Sequence, residues 1–402
     1  MKVLLSNKYY YPRGGSDIYM IELEKLLKKN GHEVAVFSMQ HSLNLQAETS
    51  KFFPEEVDMN GKNVKDLIPA LLRPFGVAEV RKKFIGLINE FKPDIVHLNN
   101  IHSQLSPLLG VLASHRNIPV IWTLHDHKLL CSRYDCMRNN KPCELCFTNN
   151  FNVVRYRCMK NSLMASIVAY AEALVWNREK MSEITNTFIC PSNFLLSNMV
   201  KGGFKREQLS VLPNFIDDKR FIDTPLAREN HYCYVGRLSA EKGVETLLKA
   251  AADLHQFRLK VVGTGPLEER LRAKYNKENI EFLGFQKWDE LKLILGSAVC
   301  MVIPSECYEN NPLSVIESLC LGTPVIGARI GGIPELIDPG RNGLVFESGN
   351  MIDLQKKIKE LYLSAADYKH DDIALEAREK FDSNNFYNRL SEIYSNLVFN
   401  KY

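Results

Sequence analysis

Residues 298–327 have the sequence AVCMVIPSECYENNPLSVIESLCLGTPVIG. The apolar runs at the two ends of this stretch predict two buried strands. Between them, Asn311 predicts a helix N-cap, Pro312 the first helical position and Gly322 the end of a helix of about ten residues. A strand, a helix and a second strand in this order predict a parallel sheet.

The same alternation of apolar runs and helix patterns extends along the chain in both directions. It restarts at His231, after the polar stretch 217–230. We therefore predict an α/β protein with two doubly wound, Rossmann-like domains, which span residues 1–217 and 218–385. The other predicted strands lie at 2–6, 33–37, 94–98, 119–124, 187–192, 209–214, 231–236, 259–263 and 280–284.

Size and composition agree with this organisation. A chain of 402 residues with 45% hydrophobic residues is long enough for two cores, and a net charge of +4 does not indicate a nucleic-acid partner. No signal peptide and no apolar run of transmembrane length is visible, so we expect a cytoplasmic protein. The longest apolar run, 163–176, predicts a core helix, with docking to a surface as the alternative.

Five of the ten cysteines lie between Cys131 and Cys158. Cys143 and Cys146 have the spacing that offers two thiolates to one zinc ion, and Cys131 or Cys136 together with Cys158 would complete a four-sulfur site. We predict a structural zinc site formed by Cys131, Cys143, Cys146 and Cys158. The alternatives are small buried apolar side chains or a redox pair.

Two glutamates flank the start of the predicted helix. Glu309 lies on the loop before it, and Glu317 lies within it among apolar residues. A carboxylate in such surroundings needs hydrogen-bond donors, which sugar hydroxyls would supply. The backbone N–H groups at Leu313 and Ser314 offer a phosphate site, whereas a pair of solvated glutamates is the plainer alternative.

The segment as a whole resembles the retaining nucleotide-sugar glycosyltransferases of family 4. Their Glu-x7-Glu pattern is followed here by Gly-Thr-Pro-Val at 322–325 and by Gly-Gly-Ile-Pro-Glu at 331–335. The chain departs from the family at Asn310, Asn311 and Pro312, where Gly-Phe-Gly is frequent. Members with a cysteine-rich insertion after a His-Asp motif resemble it further.

The resemblance implies the GT-B fold, in which two Rossmann-like domains face each other across a cleft. It also implies that residues 386–402 form a helix that crosses back to the N-terminal domain. The implied reaction is metal-independent transfer of a sugar, with retention, from a nucleoside-diphosphate sugar to an acceptor hydroxyl. The setting would be cell-surface polysaccharide or glycolipid synthesis.

A second motif supplies positive charge. A cation in the first turn of a helix is disfavoured by the helix dipole unless an anion lies beside it, so Lys242 indicates a bound diphosphate. The alternative is a surface lysine held by Glu241. The sequence from Gly236 to Gly243 is similar to the family's Gly-Arg-x4-Lys-Gly, which implies that Arg237 and Lys242 contact the diphosphate.

Further donor contacts are predicted from glycines and from one aromatic residue. Gly14 and Gly15 would let the backbone approach a phosphate or the donor sugar, a plain turn being the alternative. The loops that contain Gly263, Gly265 and Phe285 are similar to the base-binding region of the family.

His125 follows a strand of the first domain and looks like the family histidine that lies near the donor sugar. His127 is the alternative, and the two histidines could instead bind a metal. The resemblance further implies that Glu309 holds donor-sugar hydroxyls and Glu317 the ribose.

Other functions remain open from the sequence. An epimerase or phosphorylase on the same fold and a non-catalytic nucleotide-sugar-binding protein are the rivals. The predicted partners are a nucleotide sugar and a carbohydrate or lipid-linked acceptor. Peripheral membrane contact is one interpretation of the basic residues Arg81, Lys82 and Lys83, and a solvated face is the other.

Overall fold

The computed structural model describes residues 1–57, 64–217, 221 and 226–399. The rest of the predicted domain boundary, 218–220 and 222–225, and the end of the predicted last helix, 400–402, lie outside these residues. The strands are β1 (Lys2–Ser6), β2 (Glu33–Phe37), β3 (Ile95–Leu98), β4 (Val120–Thr123), β5 (Met137–Arg138), β6 (Lys141–Pro142), β7 (Thr187–Cys190), β8 (Leu209–Val211), β9 (His231–Val235), β10 (Arg258–Val262), β11 (Ile280–Gly284), β12 (Cys300–Ile303), β13 (Val325–Ala328) and β14 (Gly343–Phe346).

Helices connect these strands. They are α1 (Gly15–Lys29), α2 (Val64–Leu72), α3 (Ala78–Phe91), α4 (Leu108–Ser114), α5 (Asn152–Arg155), α6 (Leu163–Val175), α7 (Arg178–Ile184), α8 (Asn193–Lys201), α9 (Val244–Ala252), α10 (Glu268–Lys274), α11 (Trp288–Ser297), α12 (Leu313–Cys320), α13 (Met351–Leu363), α14 (His370–Lys380) and α15 (Ser383–Phe399).

The chain divides into two compact units. Unit 1 contains Met1–Cys136, Cys143–Pro213 and the chain from Phe386 onward, and unit 2 contains Asn214–Asn385 with the short hairpin Met137–Pro142. Each unit is an α/β layer structure around its own parallel sheet, which confirms the predicted fold class.

Unit 1 is built on the strand order β2-β1-β3-β4-β7-β8. All neighbouring strands are parallel, and Val3 of β1 pairs with Val34 on one side and Ile95 on the other. Trp122 is completely buried in this sheet. Strands covered on both faces need continuous apolar runs, which explains why the sequence shows no polar alternation here.

Unit 2 is built on the strand order β11-β10-β9-β12-β13-β14, again parallel throughout. The chain runs from β9 to β10 on one side, and β12 returns to the other side of β9. The direction of winding therefore reverses between β9 and β12. In open α/β sheets the crevice beyond the carboxyl ends of the strands at such a reversal is where ligands bind.

The prediction of a core helix at residues 163–176 was wrong. Helix α6 buries Ser166, Ala169 and Glu172, whereas Met164 is 70% exposed. A short apolar run can cover a core or project from it, and its composition alone does not distinguish the two cases. Within the ranges given above, no helix combines the length and apolar character needed to span a bilayer.

Candidate nucleotide-sugar site

The predicted donor-site residues of unit 2 lie on the loops that follow consecutive strands. Arg237 and Lys242 follow β9, the two glycines 263 and 265 follow β10, Phe285 follows β11, and Glu309 follows β12. All these loops leave the same edge of the sheet, because parallel strands have their carboxyl ends together. The winding reversal between β9 and β12 lies at the centre of this set.

Lys242 and Glu309 form the closest pair in this group. Lys242 Nζ lies 2.6 Å from Glu309 Oε1, and Ser305 Oγ donates to the same oxygen at 2.8 Å. Only 15% of the Glu309 side chain is exposed. Burial lowers the pKa of Lys242, but the negative charge of Glu309 outweighs it, so the net shift is upward and the lysine stays charged.

The Gly331-Gly332 motif fixes the backbone of Glu309. Gly331 has φ +61°, and a Cβ at this position would collide with the backbone N and O of Glu309. The N–H of Gly332 donates to Glu309 O at 2.6 Å. The loops after β12 and β13 can approach this closely only because position 331 lacks a side chain.

The loop that carries Arg237 is held by its neighbours. Tyr234 Oη donates to Arg237 O at 2.8 Å, and the backbone of Gly265 packs directly on that of Leu238. The Arg237 side chain itself is exposed.

The next loops along the same edge are joined through their backbones. The N–H of Gly263 donates to Gly284 O at 2.7 Å, and the adjacent Phe285 is 75% exposed. Inside this chain the glycines at 263 and 265 thus serve close packing of the loops, and Phe285 is an uncovered ring at their end.

The short 3-10 turn before α9 differs from the prediction. Lys242 ends a turn at Ala240–Lys242, and the helix proper begins after Gly243. Ser239 Oγ donates to the Glu241 carboxylate and makes no capping hydrogen bond.

Helix α12 also begins differently from the prediction. Its N-cap position is occupied by Pro312 without a side-chain cap, so the prediction that Asn311 caps the helix was wrong. Asn311 Oδ1 instead accepts from the N–H of Asn214 at 2.8 Å, and the Asn214 side chain donates to Asn311 O at 2.7 Å. The side chain of Asn311 is therefore buried in a contact with the first residues of unit 2.

The other predicted residues around α12 are partly exposed. Leu313 and Ser314 are half-buried at its first turn, as is Asn310 just before it. Glu317 is half-buried as well, which is more open than the sequence indicated. Residues four apart share one face of a helix, so Glu317 lies on the face that begins at Leu313.

In unit 1, Gly14 and Gly15 lie between β1 and α1. Gly14 has an extended backbone, φ −159°, and a Cβ there would make only an ordinary contact with Asp17. Neither strain nor crowding within the described chain therefore requires glycine at position 14. Asp17 is buried and accepts from Asn7 Nδ2 at 2.8 Å, which ties α1 to the end of β1.

His125 and His127 follow β4 but differ in their surroundings. His125 is half-buried, with Nε2 3.1 Å from Asn99 Oδ1 and its ring 4.9 Å from that of Tyr19. Burial, helped by the charge of Lys8, lowers the pKa of His125 to about 3, so its ring is neutral near pH 7. His127 is buried against Asn198, and burial lowers its pKa to about 4.

Sequence reasoning missed two charged residues at this edge of unit 1. Lys8 directly follows Asn7 after β1, and Asp126 is the neighbour of His125. Burial lowers the pKa of Lys8, although the nearby Asp126 and Asp17 act in the opposite direction. The signal that could have found Lys8 is its position just beyond a parallel strand.

The cysteine-rich insertion brings thiols together around Cys131. Its Sγ contacts the thiols of Cys136 and Cys146, and the backbone N–H groups of Arg133 and Cys136 donate to it. These donors lower the pKa of Cys131 to about 3, which favours a thiolate. Cys136 had been left out of the predicted set.

Cys143 and Cys158 are half-buried, and both lie close enough to Cys146 to affect its thiol electrostatically. Among the residues that the structure describes, no group of three or more His, Cys, Asp or Glu side chains is arranged to hold a metal ion. The zinc site therefore stays a prediction.

Comparison with known proteins identifies two family models along the chain. The model described as Glycosyltransferase Family 4 matches residues 13–220, and the model described as Glycosyl transferases group 1 matches residues 216–385. The two matches together cover nearly the entire chain, and they meet where unit 2 begins.

Among similar curated proteins, an uncharacterized glycosyltransferase of Methanocaldococcus jannaschii (MJ1607) is 27% identical over 364 residues, 86% of this chain and 84% of the relative. The sulfoquinovosyl transferase SQD2 of Arabidopsis thaliana is 27% identical over 297 residues, 69% of this chain and 52% of the relative. The putative colanic acid biosynthesis glycosyltransferase WcaL of Escherichia coli K12 is 30% identical over 168 residues, 38% of this chain and 41% of the relative.

Solved structures show the same fold. Sucrose-phosphate synthase of Thermosynechococcus elongatus superposes with a TM-score of 0.72 at 20% identity over 98% of both chains. HepE of Anabaena in complex with UDP-glucose superposes with a TM-score of 0.68 at 18% identity over 98% of this chain and 99% of that one. The fold is GT-B, as the sequence predicted.

Proposed function

Because the chain belongs to glycosyltransferase family 4, we propose that it transfers a sugar, with retention of anomeric configuration, from a nucleoside-diphosphate sugar to an acceptor hydroxyl. The observation that carries this proposal is the Lys242–Glu309 pair beside the winding reversal between β9 and β12. A cation and a carboxylate at one ligand crevice are the two groups needed for a diphosphate and for sugar hydroxyls.

The diphosphate is the first ligand group to place. Arg237 and Lys242 would neutralise it, and the N-terminus of α12 at Leu313 and Ser314 would donate backbone N–H groups to its oxygens. These positive groups stabilise the charge that develops on the leaving phosphate, so the proposed catalysis needs no metal ion.

The sugar and the nucleoside are the other parts of the donor. Glu309 already accepts from Lys242 and Ser305 through Oε1, so its second oxygen would receive the donor-sugar hydroxyls. Glu317 would accept from the ribose. His125, neutral at physiological pH, would hydrogen-bond near the reacting carbon without adding positive charge there.

The remaining donor contacts involve loops. Asn310 and Asn311 would line the loop before α12, although the Asn311 side chain is already engaged by Asn214. Gly263 and Gly265 would border the base, and Phe285 would offer it an exposed ring. A further two glycines, Gly14 and Gly15, would leave room for the donor at the edge of unit 1.

The proposed step is a front-face substitution. The bond from the anomeric carbon to the phosphate oxygen breaks, and the acceptor oxygen forms its bond on the same face. The departing phosphate takes the acceptor proton, so the nucleoside diphosphate leaves as the second product. No side chain of the chain becomes covalently bound.

Similar proteins support the choice of substrates. HepE binds UDP-glucose in its solved complex, and WcaL has a putative role in colanic acid biosynthesis. We therefore propose a nucleotide sugar as donor and a carbohydrate or lipid-linked acceptor, in cell-surface polysaccharide or glycolipid synthesis.

A donor screen tests the proposal. The purified protein is incubated with radiolabelled nucleotide sugars and candidate acceptors, and both nucleoside diphosphate and glycosylated acceptor are measured. We expect one donor to release nucleoside diphosphate in step with product of retained configuration. Binding without release would indicate a nucleotide-sugar-binding protein, and an altered nucleotide sugar without release would indicate an epimerase.

Two lysines distinguish specific from general effects of charge. Lys242→Ala removes the partner of Glu309 and one cation at the diphosphate, so we expect turnover to fall by about 100-fold. Lys249→Ala removes an exposed lysine of α9 and should leave turnover nearly unchanged. Equal effects of the two substitutions would contradict the diphosphate assignment.

The ribose assignment is tested by donor affinity. We expect Glu317→Ala to raise the donor Kd by about tenfold, which corresponds to the loss of a charge-assisted hydrogen bond. Titration calorimetry with the intact nucleoside diphosphate measures the change directly. An unchanged Kd would remove Glu317 from the site.

A further inference from the structure

Helix α6 has its apolar side facing outward. Its buried residues are a serine, an alanine and a glutamate, whereas its large apolar side chains are exposed. The exposed residues are Leu163, Met164, Ile167, Leu174 and Val175, with exposed fractions from 41% to 70%. Their spacing of three, four and seven residues places them on one side of the helix, opposite to the usual arrangement in a soluble domain.

The inward side of α6 is held by polar contacts. Glu172 Oε2 accepts from Lys128 Nζ at 2.9 Å, and both side chains are about nine-tenths buried. Ser166 donates to Ser162 O and accepts from the N–H of Met159. The helix is thus anchored to unit 1 without using its leucines, its isoleucine or its methionine.

Neighbouring elements extend the apolar surface. Trp176, which follows α6, donates to Pro74 O at 2.7 Å and so joins α6 to the end of α2. On the other side, Phe151 packs edge-on against Tyr170 of α6 at 5.5 Å. We call the exposed apolar side chains of α6, α2 and this insertion the α6 face, and its additional members are Ile68, Leu71, Leu72, Phe151 and Tyr156.

The charge beside the α6 face is positive. Between residues 145 and 176 the basic residues are Arg155, Arg157 and Lys160, all exposed, and the acidic residue is Glu172, which is buried against Lys128. Arg157 and Lys160 lie on the turn that leads directly into α6. An apolar helix face bordered by cations is complementary to the interface of a bilayer that contains anionic lipids.

We propose that the α6 face docks unit 1 on an anionic lipid surface. The apolar side chains would enter the headgroup boundary, and Arg155, Arg157 and Lys160 would contact lipid phosphates. This surface differs from the α3 residues Arg81, Lys82 and Lys83, from which the sequence indicated membrane contact. Lys83 is turned inward and donates to Phe53 O at 2.7 Å. The proposal goes beyond the proposed transfer reaction and does not depend on it.

Vesicle flotation tests the proposal. The full-length protein is mixed with phosphatidylcholine vesicles, with or without phosphatidylglycerol, and the floating fraction is measured at low and high salt. We expect flotation only with phosphatidylglycerol, and less of it at high salt. Absence of flotation with either vesicle would overturn the proposal.

Matched variants locate the contact. Met164→Glu with Ile167→Glu should abolish flotation, and Arg157→Gln with Lys160→Gln should weaken binding by at least about fivefold. The control is Leu363→Glu, since Leu363 is 90% exposed on α13 of unit 2 and should not matter. Equal flotation of the wild type and the α6 variant would contradict the assignment.

A second measurement covers loss of folding and self-association. Met164→Trp keeps the position apolar, and its fluorescence should be quenched by brominated lipids in anionic vesicles. Lack of quenching in floating protein would place the contact elsewhere. If sedimentation without lipid shows a dimer that Met164→Glu dissociates, and the wild type does not float, the face joins two copies and the lipid proposal is wrong.

Discussion

Lys242 and Ser305 donate to the same oxygen of Glu309, and the backbone of Glu309 is held in addition by Gly332. This carboxylate therefore has little freedom to rotate, and its geometry is set before any ligand arrives. Preorganised charge of this kind loses less free energy to reorganisation during reaction than a mobile side chain would.

The close approach at Gly331 leads to a prediction. Gly331→Ala places a Cβ against the backbone of Glu309 at φ +61°, so the loop must shift and Glu309 with it. We expect kcat/KM to fall by about tenfold or more. Gly340→Ala is the matched control, because Gly340 also has positive φ, +85°, but no atom lies within 4 Å of its Cβ position.

Steady-state kinetics and thermal unfolding of both variants separate the two effects. Both substitutions strain the backbone, so both should lower the unfolding midpoint slightly. Only the change at Gly331 should reduce kcat/KM. Comparable kinetics for the two variants would show that the position of Glu309 does not limit the reaction.

Asn311 shows what sequence could not reveal at the level of elements. Asn before Pro is a good helix-start signal, yet the side chain bonds to Asn214, 97 residues earlier in the chain. Local patterns contain no information on such a distant partner. By contrast, the Gly-Gly motif and the residues after each strand were predictable, because chain geometry alone places them.

The cysteine-rich insertion gives a prediction for an element. Zinc would draw together thiols that are already close, namely those of Cys131, Cys136 and Cys146, with Cys143 or Cys158 as a fourth ligand. We expect elemental analysis of protein purified under reducing conditions to find about one zinc per chain. Removal of the metal by a chelator should lower the unfolding midpoint by several degrees.

Single substitutions then identify the ligands. Cys146→Ser should abolish zinc binding, whereas Cys307→Ser, a change of a buried cysteine in unit 2, should retain it. Comparison of Cys136→Ser with Cys158→Ser decides which of these completes the site. Protein without zinc, with an unfolding midpoint that chelation leaves unchanged, would leave a cluster of free thiols instead.

At the scale of the whole molecule, the two ends of the chain are joined in unit 1. Tyr394 of α15 bonds His97 Nδ1 at 2.6 Å, and the other ring nitrogen of His97 lies 2.7 Å from Thr123 Oγ1. The periodic apolar residues predicted a helix at 386–402, but the partner of Tyr394 depended on the assembled sheet. The polar centre of this contact could therefore not be predicted.

This buried histidine makes stability depend on pH. Burial lowers the pKa of His97 from about 6.5 in the unfolded chain to about 3 in the folded protein. Below pH 6.5 the unfolded chain binds a proton that the folded chain does not. The contribution is therefore complete at pH 7 and falls by about 1.4 kcal/mol per pH unit as the pH decreases toward 3. His127, with a pKa of about 4, acts in the same direction.

Replacement of His97 tests this linkage. His97→Gln removes one titrating group, so the loss of stability between pH 7 and about pH 5 should become shallower by about one proton per chain. Urea unfolding, followed by tryptophan fluorescence at several pH values, measures the slope. The exposed His255→Gln serves as the control and should keep the wild-type slope. If the His97→Gln slope equals that of wild type, proton uptake on unfolding arises from other groups, and the contact of His97 with Tyr394 has no part in acid sensitivity.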